Sequence, residues 1–302
     1  MILKEGSRGE DVKELQRALK QLGYNVGVAD GIFGNGTQLQ VEKFQEANEL
    51  YPDGIVGQGT LAVMNEQLPA RYQFKLDGIG ADPTEPSQKL PWTKVVAEQV
   101  EGSQGYSYFR LRKDVADAYN ALHSDVLALG GVITSAGAKR PLTDSKKMAS
   151  RSIKSLHYTG LAFDMALDSG MNNPKKERFV VEEVGDRNWN VWCRTIDESV
   201  PVRKITAYTY NNTRVVVEDR FFSFTDLAKK HGFEGIKCRR SFKNGGSYLG
   251  AEWWHLQYEK ALTPGVSTFG GELLKMYSLD EVKATFQPWE EVKNATWQID
   301  WF

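Results

Sequence analysis

A near-exact internal duplication constrains the fold of this chain more than any other feature of its sequence. The segment DGIFGNGT runs from Asp30 to Thr37, and DGIVGQGT runs from Asp53 to Thr60. In each copy the glycines permit a tight turn, and the final threonine can cap a following helix. The duplication therefore predicts two similar turns that each lead into a helix.

Apolar residues at helical spacing predict a further helix before the two repeats. The residues with this spacing are Val12, Leu15, Leu19 and Leu22. Ser7 and Glu10 match the pattern of a capping box at the start of that helix. With a second helix after Thr37 and a third near Leu61, the sequence predicts a three-helix bundle of about 65 residues, close to the lower size limit for an independent core.

Four motifs in this region together resemble the peptidoglycan-binding domain type 1 family. They read GSRGEDVKELQ from Gly6, DGIFG from Asp30, FQ from Phe44 and DGIVG from Asp53. The resemblance covers about residues 3–68 and implies a three-helix module that holds bacterial cell-wall enzymes on peptidoglycan. We therefore expect a peptidoglycan-binding domain at residues 1–68. Several prolines without any periodicity predict a linker at residues 69–95, which leaves residues 96–302 for a second domain.

The composition is typical of a globular protein and argues against some function classes. Of the 302 residues, 41% are apolar and 25% are charged, and the net charge is −1. No net field therefore favours nucleic acid or an anionic membrane surface, and no apolar run is long enough to span a bilayer. The N-terminus lacks a basic stretch followed by an apolar core, so we expect a chain made in the cytoplasm without a signal peptide.

Cysteine use gives little structural constraint. Cys193 and Cys238 are too few and too far apart to build a disulfide framework, and neither belongs to a CxxC pair. We expect two free thiols, and one bridge between them is the alternative.

The second domain opens on a helical pattern and later carries a hairpin pattern. Residues 110–129 share one apolar stripe, and residues 132–141 read as a short strand running into a turn. A long insertion at 168–250, whose role the sequence leaves open, reads in part as a hairpin that turns at Asn211 and Asn212. Three tryptophans in the last 15 residues predict a tail that packs against the protein.

An acidic residue lies within an otherwise apolar strand pattern. From Leu161 to Leu167 the large apolar side chains alternate, and Asp164 lies among small alanines on the other face. His157 precedes this residue by seven positions, so both side chains reach one site only if the chain turns between them, which Gly160 permits. A buried carboxylate needs a partner, and a metal ion is one such partner.

A second motif supplies the remaining groups of a zinc site. AEWWHLQY places Glu252 three residues before His255, on the same side of a helical turn or of a bent strand. Zinc accepts imidazole nitrogen and carboxylate oxygen, and a hydrolytic site uses three protein ligands with an open fourth position. We predict that His157, Asp164 and His255 bind Zn²⁺. Glu252 is then free to take a proton from the attacking water and to pass a proton to the leaving amine.

The two motifs together resemble the M15 family of zinc peptidases. S-x-H-x-x-G-x-A-x-D is filled by Ser155, His157, Gly160, Ala162 and Asp164, and E-x-W-H by Glu252, Trp254 and His255. LAKKHGFEG at 227–235 also resembles a segment that these enzymes carry before their last metal ligand. The resemblance covers roughly residues 110–260 and implies an α+β peptidase domain with a small antiparallel sheet, the same three ligands and Glu252 as the catalytic base.

The family also carries an arginine that stabilises the developing oxyanion. Arg140 in SAGAKRP is the matching residue, although the tyrosine of the family pattern is absent here. A surface arginine in a turn is the alternative interpretation of Arg140. Ser155 and Trp254 are further candidates for contact with the substrate, and Ser155 could equally cap a turn.

The resemblances imply a modular cell-wall hydrolase that is similar to a phage endolysin and acts on the wall as a monomer. The first hypothesis is an endopeptidase that cuts the stem peptide at the L-Ala–D-Glu bond. The second is a D-Ala-D-Ala carboxypeptidase. The third is a non-catalytic wall-binding protein with a structural zinc site, against which the spare carboxylate of Glu252 argues. Peptidoglycan is the expected partner in each case, rather than nucleic acid or a membrane.

Overall fold

The computed structural model describes most of the chain, and the described residues form two compact units. The described ranges are 3–74, 85–142, 155–185, 187–262, 267 and 269–286. The first unit comprises residues 3–74, 85–89, 142, 155, 262, 267 and 269–286 of these, and the second comprises residues 90–141, 156–185 and 187–261. Together they make an α+β protein with small antiparallel sheets, as the sequence predicts.

The helices and strands are numbered in chain order. The α-helices of the described residues are α1 (Glu10–Gln21), α2 (Asn35–Ala47), α3 (Gln58–Gln67), α4 (Lys113–Ala128), α5 (Leu156–Thr159), α6 (Phe224–Lys230), α7 (Arg240–Lys243), α8 (Phe269–Leu274) and α9 (Leu279–Thr285). The strands are β1 (Trp92–Val96), β2 (Tyr108–Arg112), β3 (Ala162–Asp164), β4 (Phe179–Glu183), β5 (Trp189–Arg194), β6 (Val202–Tyr208), β7 (Arg214–Ser223), β8 (Phe233–Gly235) and β9 (His255–Tyr258).

The first unit contains the three helices that the sequence predicts near the N-terminus. Val12, Leu15 and Leu19 of α1 are fully buried, as their spacing requires. Val41 and Phe44 of α2 are also fully buried. These side chains form the core of the small bundle.

The predicted helix caps are wrong. Gly9 takes the N-cap position of α1, while the Ser7 hydroxyl accepts a hydrogen bond from the Lys4 amide instead of closing a capping box. Gly34 and Gly57 are the N-caps of α2 and α3. The two repeat threonines lie three residues further along, inside their helices, where each faces a buried glutamine.

Each repeat turn is held by such a glutamine, and we call this arrangement the glutamine clasp. In the first clasp the Gln16 amide nitrogen donates to Asp30 Oδ1 at 3.0 Å, to the Ile32 carbonyl at 3.1 Å and to Thr37 Oγ1 at 3.2 Å, while its oxygen accepts from the Gly31 amide. In the second clasp Gln45 makes the same four contacts to Asp53, Gly54, Ile55 and Thr60. The duplicated sequence therefore encodes two copies of the glutamine clasp, in each of which one side chain forms hydrogen bonds with the backbone groups of a tight turn.

Replacing Gln45 with leucine is expected to destabilise the first unit by about 2–4 kcal/mol, because one donor and several acceptors are left buried without partners. Hydrogen exchange of the amides in α2 and α3, measured on the full chain, would detect the loss as faster exchange. The matched control is Gln21→Leu at an exposed position of α1, which should stay within about 0.5 kcal/mol. Equal protection in both variants would show that the clasp contributes nothing.

The second unit combines two small sheets and a barrel. Strands β1 and β2 pair with each other, and β3, β9 and β8 form a three-stranded antiparallel sheet in that order. The predicted helix over residues 110–129 is α4, and its buried side chains include Val115, Tyr119, Leu122 and Val126. Phe109 and Tyr119 both contact the ring of Phe163 on β3, so the core lies directly behind the sheet.

Residues 179–223 of the long insertion fold as a closed barrel with strand order β4-β5-β7-β6. Its core is formed by Val180, Ile205, Ala207, Val217 and Phe221. Strands β6 and β7 form the predicted hairpin, in which Asn212 adopts a left-handed φ of 56°.

Tyr210 lies at the tip of this hairpin. Its hydroxyl donates to the Leu167 carbonyl at 2.7 Å and accepts from Trp253 Nε1 at 2.8 Å. The tip therefore links both ends of the insertion.

Residues 132–141 do not form the predicted short strand. They make only an isolated bridge at Gly137, so the prediction of a strand here is wrong. Both cysteines are free and buried. Strand β1 begins inside the predicted linker, and the domain boundaries stay predictions. Part of that linker (75–84) and the tail (287–302) lie outside the described residues. In the part of the chain that is described, no helix is both long and apolar enough to cross a membrane.

Candidate metal centre

His157 lies on the short helix α5 with 1% of its surface exposed. Its Nδ1 contacts the Ala138 carbonyl oxygen at 2.7 Å, and a carbonyl can only accept, so Nδ1 carries the proton. Burial lowers the pKa of His157, which favours a neutral ring. The lone pair of Nε2 is therefore available to a metal, as in sites where the second ring nitrogen of a ligand is fixed by a carbonyl.

The chain turns at Gly160 between His157 and Asp164, as the sequence requires. Gly160 has a φ of 72°, in the left-handed region that favours glycine. Strand β3 is shorter than the predicted alternation and ends at Asp164. Behind it, Phe163 and Met165 are fully buried, so the core fixes the backbone that carries the carboxylate.

Asp164 and His255 meet because their strands are neighbours. Asp164 of β3 pairs directly with His255 of β9 in antiparallel register. Directly opposed residues of an antiparallel pair project to the same face. The two side chains therefore lie side by side on the face opposite the core.

The side chains of His157, Asp164 and His255 lie close enough together to bind one metal ion. His255 Nδ1 lies 3.0 Å from Asp164 Oδ1 and 3.3 Å from His157 Nε2, and His157 Nε2 lies 3.1 Å from Asp164 Oδ2. Zinc–ligand distances of about 2.0–2.1 Å in a tetrahedral site separate neighbouring ligand atoms by roughly 3.3 Å. The two imidazoles and the carboxylate thus fit one divalent ion.

The neighbours of Asp164 stabilise the ionised form of its carboxyl group. Burial by itself raises the pKa of this carboxyl, but the neighbouring His157 and His255 rings outweigh it and hold the pKa well below its usual range. Arg140 adds a positively charged partner, since its Nη2 donates to Asp164 Oδ2 at 3.0 Å. The structure thus brings Arg140 into the centre, although the loop before it is not the predicted strand.

Glu252 lies at the edge of the centre in a strained conformation. It ends the 3-10 turn Tyr248–Ala251 with a φ of 54°, which is uncommon for a residue other than glycine and is typical of functional sites. The His255 amide donates to its carbonyl oxygen at 3.1 Å, which forms a tight turn instead of the helical turn or bent strand that the spacing allows. Burial raises the pKa of the Glu252 carboxyl, so the group is disposed to hold a proton.

One residue of this site has no counterpart in the sequence motifs. Arg239 donates from Nε to Glu252 Oε1 at 3.1 Å. It lies 13 positions before Glu252, a separation that fits neither helical nor strand periodicity. The only signal in the sequence is that Lys237, Arg239 and Arg240 form a basic run.

The remaining candidates are Trp254 and Ser155. Trp254 is 5% exposed and packs against Trp253 and Tyr210, while its carbonyl accepts from the Met165 amide. Ser155 directly precedes α5 in the chain. Contact of either residue with a substrate stays a prediction. The two other histidines pair elsewhere, His123 with Glu98 and His231 with Asp125.

Comparison with known proteins identifies the N-terminal region. Residues 8–64 match the family described as "Putative peptidoglycan binding domain". The chain carries a peptidoglycan-binding domain. The match covers the two glutamine clasps and all but the last residues of the three-helix bundle.

The related proteins match over short stretches. The spore cortex-lytic enzyme of Bacillus cereus is 44% identical over 59 residues, which is 20% of this chain and 23% of that protein. The type VI secretion system spike protein VgrG3 of Vibrio cholerae is 38% identical over 78 residues, 22% of this chain and 8% of that protein. The chain thus spans less than a quarter of the length of either relative.

Two solved structures are also similar in part. The SleB N-terminal domain is 39% identical and covers 22% of this chain and 92% of its own, with a TM-score of 0.22. A fused Zn-dependent amidase/peptidase/peptidoglycan-binding domain-containing protein from Clostridium acetobutylicum is 16% identical and covers 85% of this chain and 96% of its own. Its TM-score is also 0.22, too low for the two folds to be equated.

Proposed function

We propose that this protein is a zinc-dependent peptidase that cuts the stem peptide of bacterial peptidoglycan, with the L-Ala–D-Glu bond as its target. In this proposal residues 1–68 bind the wall, residues 69–95 link the two parts, and residues 96–302 form an M15-type catalytic domain. The protein resembles an endolysin in this layout, and it acts on the wall as a monomer without nucleic acid or membrane as a partner.

The observation that carries the proposal is the cluster of two imidazoles and a carboxylate with a second carboxylate beside it. The two imidazole nitrogens lie 3.3 Å apart, and each has one oxygen of the Asp164 carboxylate within 3.0–3.1 Å. This donor set suits zinc. A structural site needs no further acid, whereas Glu252 stands next to this one, within range of the charges of Asp164 and His255.

A bound zinc ion supplies Lewis-acid chemistry that makes water a nucleophile near neutral pH. Glu252 accepts the proton of the attacking water and later delivers a proton to the leaving amine. Its buried position and raised pKa suit both steps, because a base that must return its proton works best with a pKa closer to neutrality. Arg140 carries positive charge beside the centre and stabilises the negative charge that develops on the substrate carbonyl oxygen.

The wall-binding domain complements this chemistry by holding the substrate nearby. A tether converts the second encounter into an intramolecular one and raises the effective substrate concentration, so the catalytic site need not bind tightly by itself. The similarity to cortex-lytic enzymes supports a substrate in the cell wall.

Digestion of purified sacculi tests the proposal. We expect zinc-loaded protein to release soluble muropeptides whose new amino termini, identified by mass spectrometry, belong to D-Glu. A chelator should abolish the release and added zinc should restore it. Release of free D-Ala alone would replace the proposal with a carboxypeptidase. Wall binding without any chelator-sensitive cleavage would leave a binding protein with a structural metal site.

A further inference from the structure

The segment that ends at Glu252 is folded into a closed loop by its own backbone. The Arg239 amide donates to the Gly250 carbonyl at 2.7 Å, and the Gly246 amide donates to the Ser241 carbonyl at 2.7 Å. The side chain of Arg239 also donates a hydrogen bond to Glu252, so both ends of the loop meet at this arginine. The loop therefore fixes the backbone of Arg239 close to that of Glu252, within reach of the side-chain hydrogen bond between them.

The Arg239 guanidinium is only partly used by the protein. Its side chain is 57% exposed, whereas that of Glu252 is 15% exposed. Only Nε contacts Glu252, and within the described residues the two terminal nitrogens have no protein acceptor. The Nη1–Nη2 end of an arginine presents two parallel N–H groups, which match the two oxygens of a carboxylate.

Exposed aromatic and apolar side chains lie on the turn that leads into Glu252. Tyr248 and Leu249, which lie on the 3-10 turn before Glu252, are 51% and 47% exposed. Tyr248 contacts the edge of Tyr210 at a ring-centroid distance of 5.4 Å, and Tyr210 in turn contacts Trp254 at 6.3 Å. The segment that ends at Glu252 thus carries one exposed cation, Arg239, and exposed aromatic and apolar side chains, and an acidic peptide could contact both kinds of group.

We propose that Arg239 binds a free carboxylate on the amino acid that leaves with the new amine, so that the substrate class is peptides with an anionic leaving residue. This inference rests on the proposed function. In that reaction Glu252 delivers the proton to the leaving amine. A group that is hydrogen-bonded to Glu252 therefore lies on the side of the scissile bond that carries the leaving amine. Arg140, which donates a hydrogen bond to Asp164, lies instead on the side of the substrate carbonyl oxygen in this proposal.

The chemistry of the wall fits this assignment. A cut before D-Glu leaves a glutamate that is joined onward through its side chain and keeps its α-carboxylate. A cut before a terminal D-Ala also leaves a residue with a free carboxylate. Conversion of that carboxylate to a carboxamide removes its negative charge and places an N–H donor opposite the N–H groups of Arg239, which cannot accept.

A matched pair of stem peptides tests the inference. The two peptides differ only in whether the leaving residue carries a carboxylate or a carboxamide. We expect the wild-type protein to cut the carboxylate peptide with roughly 10- to 100-fold higher kcat/KM, in the range of a charge-assisted hydrogen-bond pair. Arg239→Met should remove this preference, and Arg239→Lys should retain part of it. Arg110→Met, at an exposed position of β2, is the control and should keep the full preference.

The outcomes separate the possible roles of Arg239. If Arg239→Met slowed both peptides by the same factor, the residue would only position Glu252 and the inference would be wrong. A wild-type protein that does not distinguish the peptides would also overturn it. If the wild-type protein cut neither peptide, the proposed function would fail. Calorimetric binding of both peptides to chelator-treated protein would then still decide whether Arg239 selects the carboxylate.

Discussion

Replacing Glu252 with glutamine is expected to lower the rate of peptide cleavage by roughly 10²- to 10⁴-fold, because the amide can neither take up nor return the proton. The substitution preserves the shape of the side chain, and the three ligand atoms belong to other residues. Zinc content, measured by elemental analysis, and binding to purified sacculi should therefore equal those of the wild-type protein.

The control for this experiment is Glu218→Gln on the barrel strand β7. Its side chain is 62% exposed and lies 3.8 Å from Lys204, so the change removes a carboxylate of the same type away from the centre. We expect full activity from this variant. Cleavage by Glu252→Gln at more than about a tenth of the wild-type rate would assign the proton transfer to another group.

Replacing Gly160 with alanine is expected to weaken both the fold and the metal site. A Cβ atom at this position would lie 2.8 Å from the backbone nitrogen and from the Cβ of Arg112, and 3.1 Å from the ring of Trp92. Strain from the left-handed φ costs about 1–2 kcal/mol, and the overlap adds about 1–3 kcal/mol. Because Gly160 separates His157 from Asp164, the backbone shift that relieves the overlap also moves the ligands apart.

Gly185→Ala provides a matched control for the second prediction. Gly185 has the same φ of 72°, but a Cβ there would meet nothing within 4 Å. This variant should show only the conformational part of the destabilisation and retain its zinc. Thermal unfolding and zinc affinity measured side by side would separate the two effects. If both variants bound zinc as tightly as the wild type, the turn would not control the centre.

The sequence could predict that His157, Asp164 and His255 lie together because the spacing within each of the two motifs is short. The separation of His157 from Asp164 requires a turn, Gly160 supplies it, and the spacing of Glu252 and His255 restricts both to one short segment. The structure brings these groups together through a single antiparallel pairing of β3 with β9. Hydrophobic spacing was sufficient for α1 and α4 for the same reason.

Contacts between distant segments could not be predicted in this way. Arg239 reaches Glu252 only because the loop after it closes on itself, and no periodicity records that closure. The barrel likewise depends on the pairing of β4 with β6, which joins non-adjacent strands. The predictions of the helix caps were wrong for a different reason. A threonine near a helix start can cap the helix or accept from a neighbour, and the choice at Thr37 was made by Gln16, 21 residues earlier.

The hydroxyl of Tyr210 joins Leu167, which directly precedes the long insertion, to Trp253, which lies just after it. Trp253 is the residue after Glu252, so damage to the barrel hairpin can reach the candidate metal centre through the hydrogen bonds of Tyr210. The insertion and the centre should therefore open as a single cooperative unit. A protease cut at the tip of the β6–β7 hairpin should therefore disturb the candidate metal centre without removing any of its side chains.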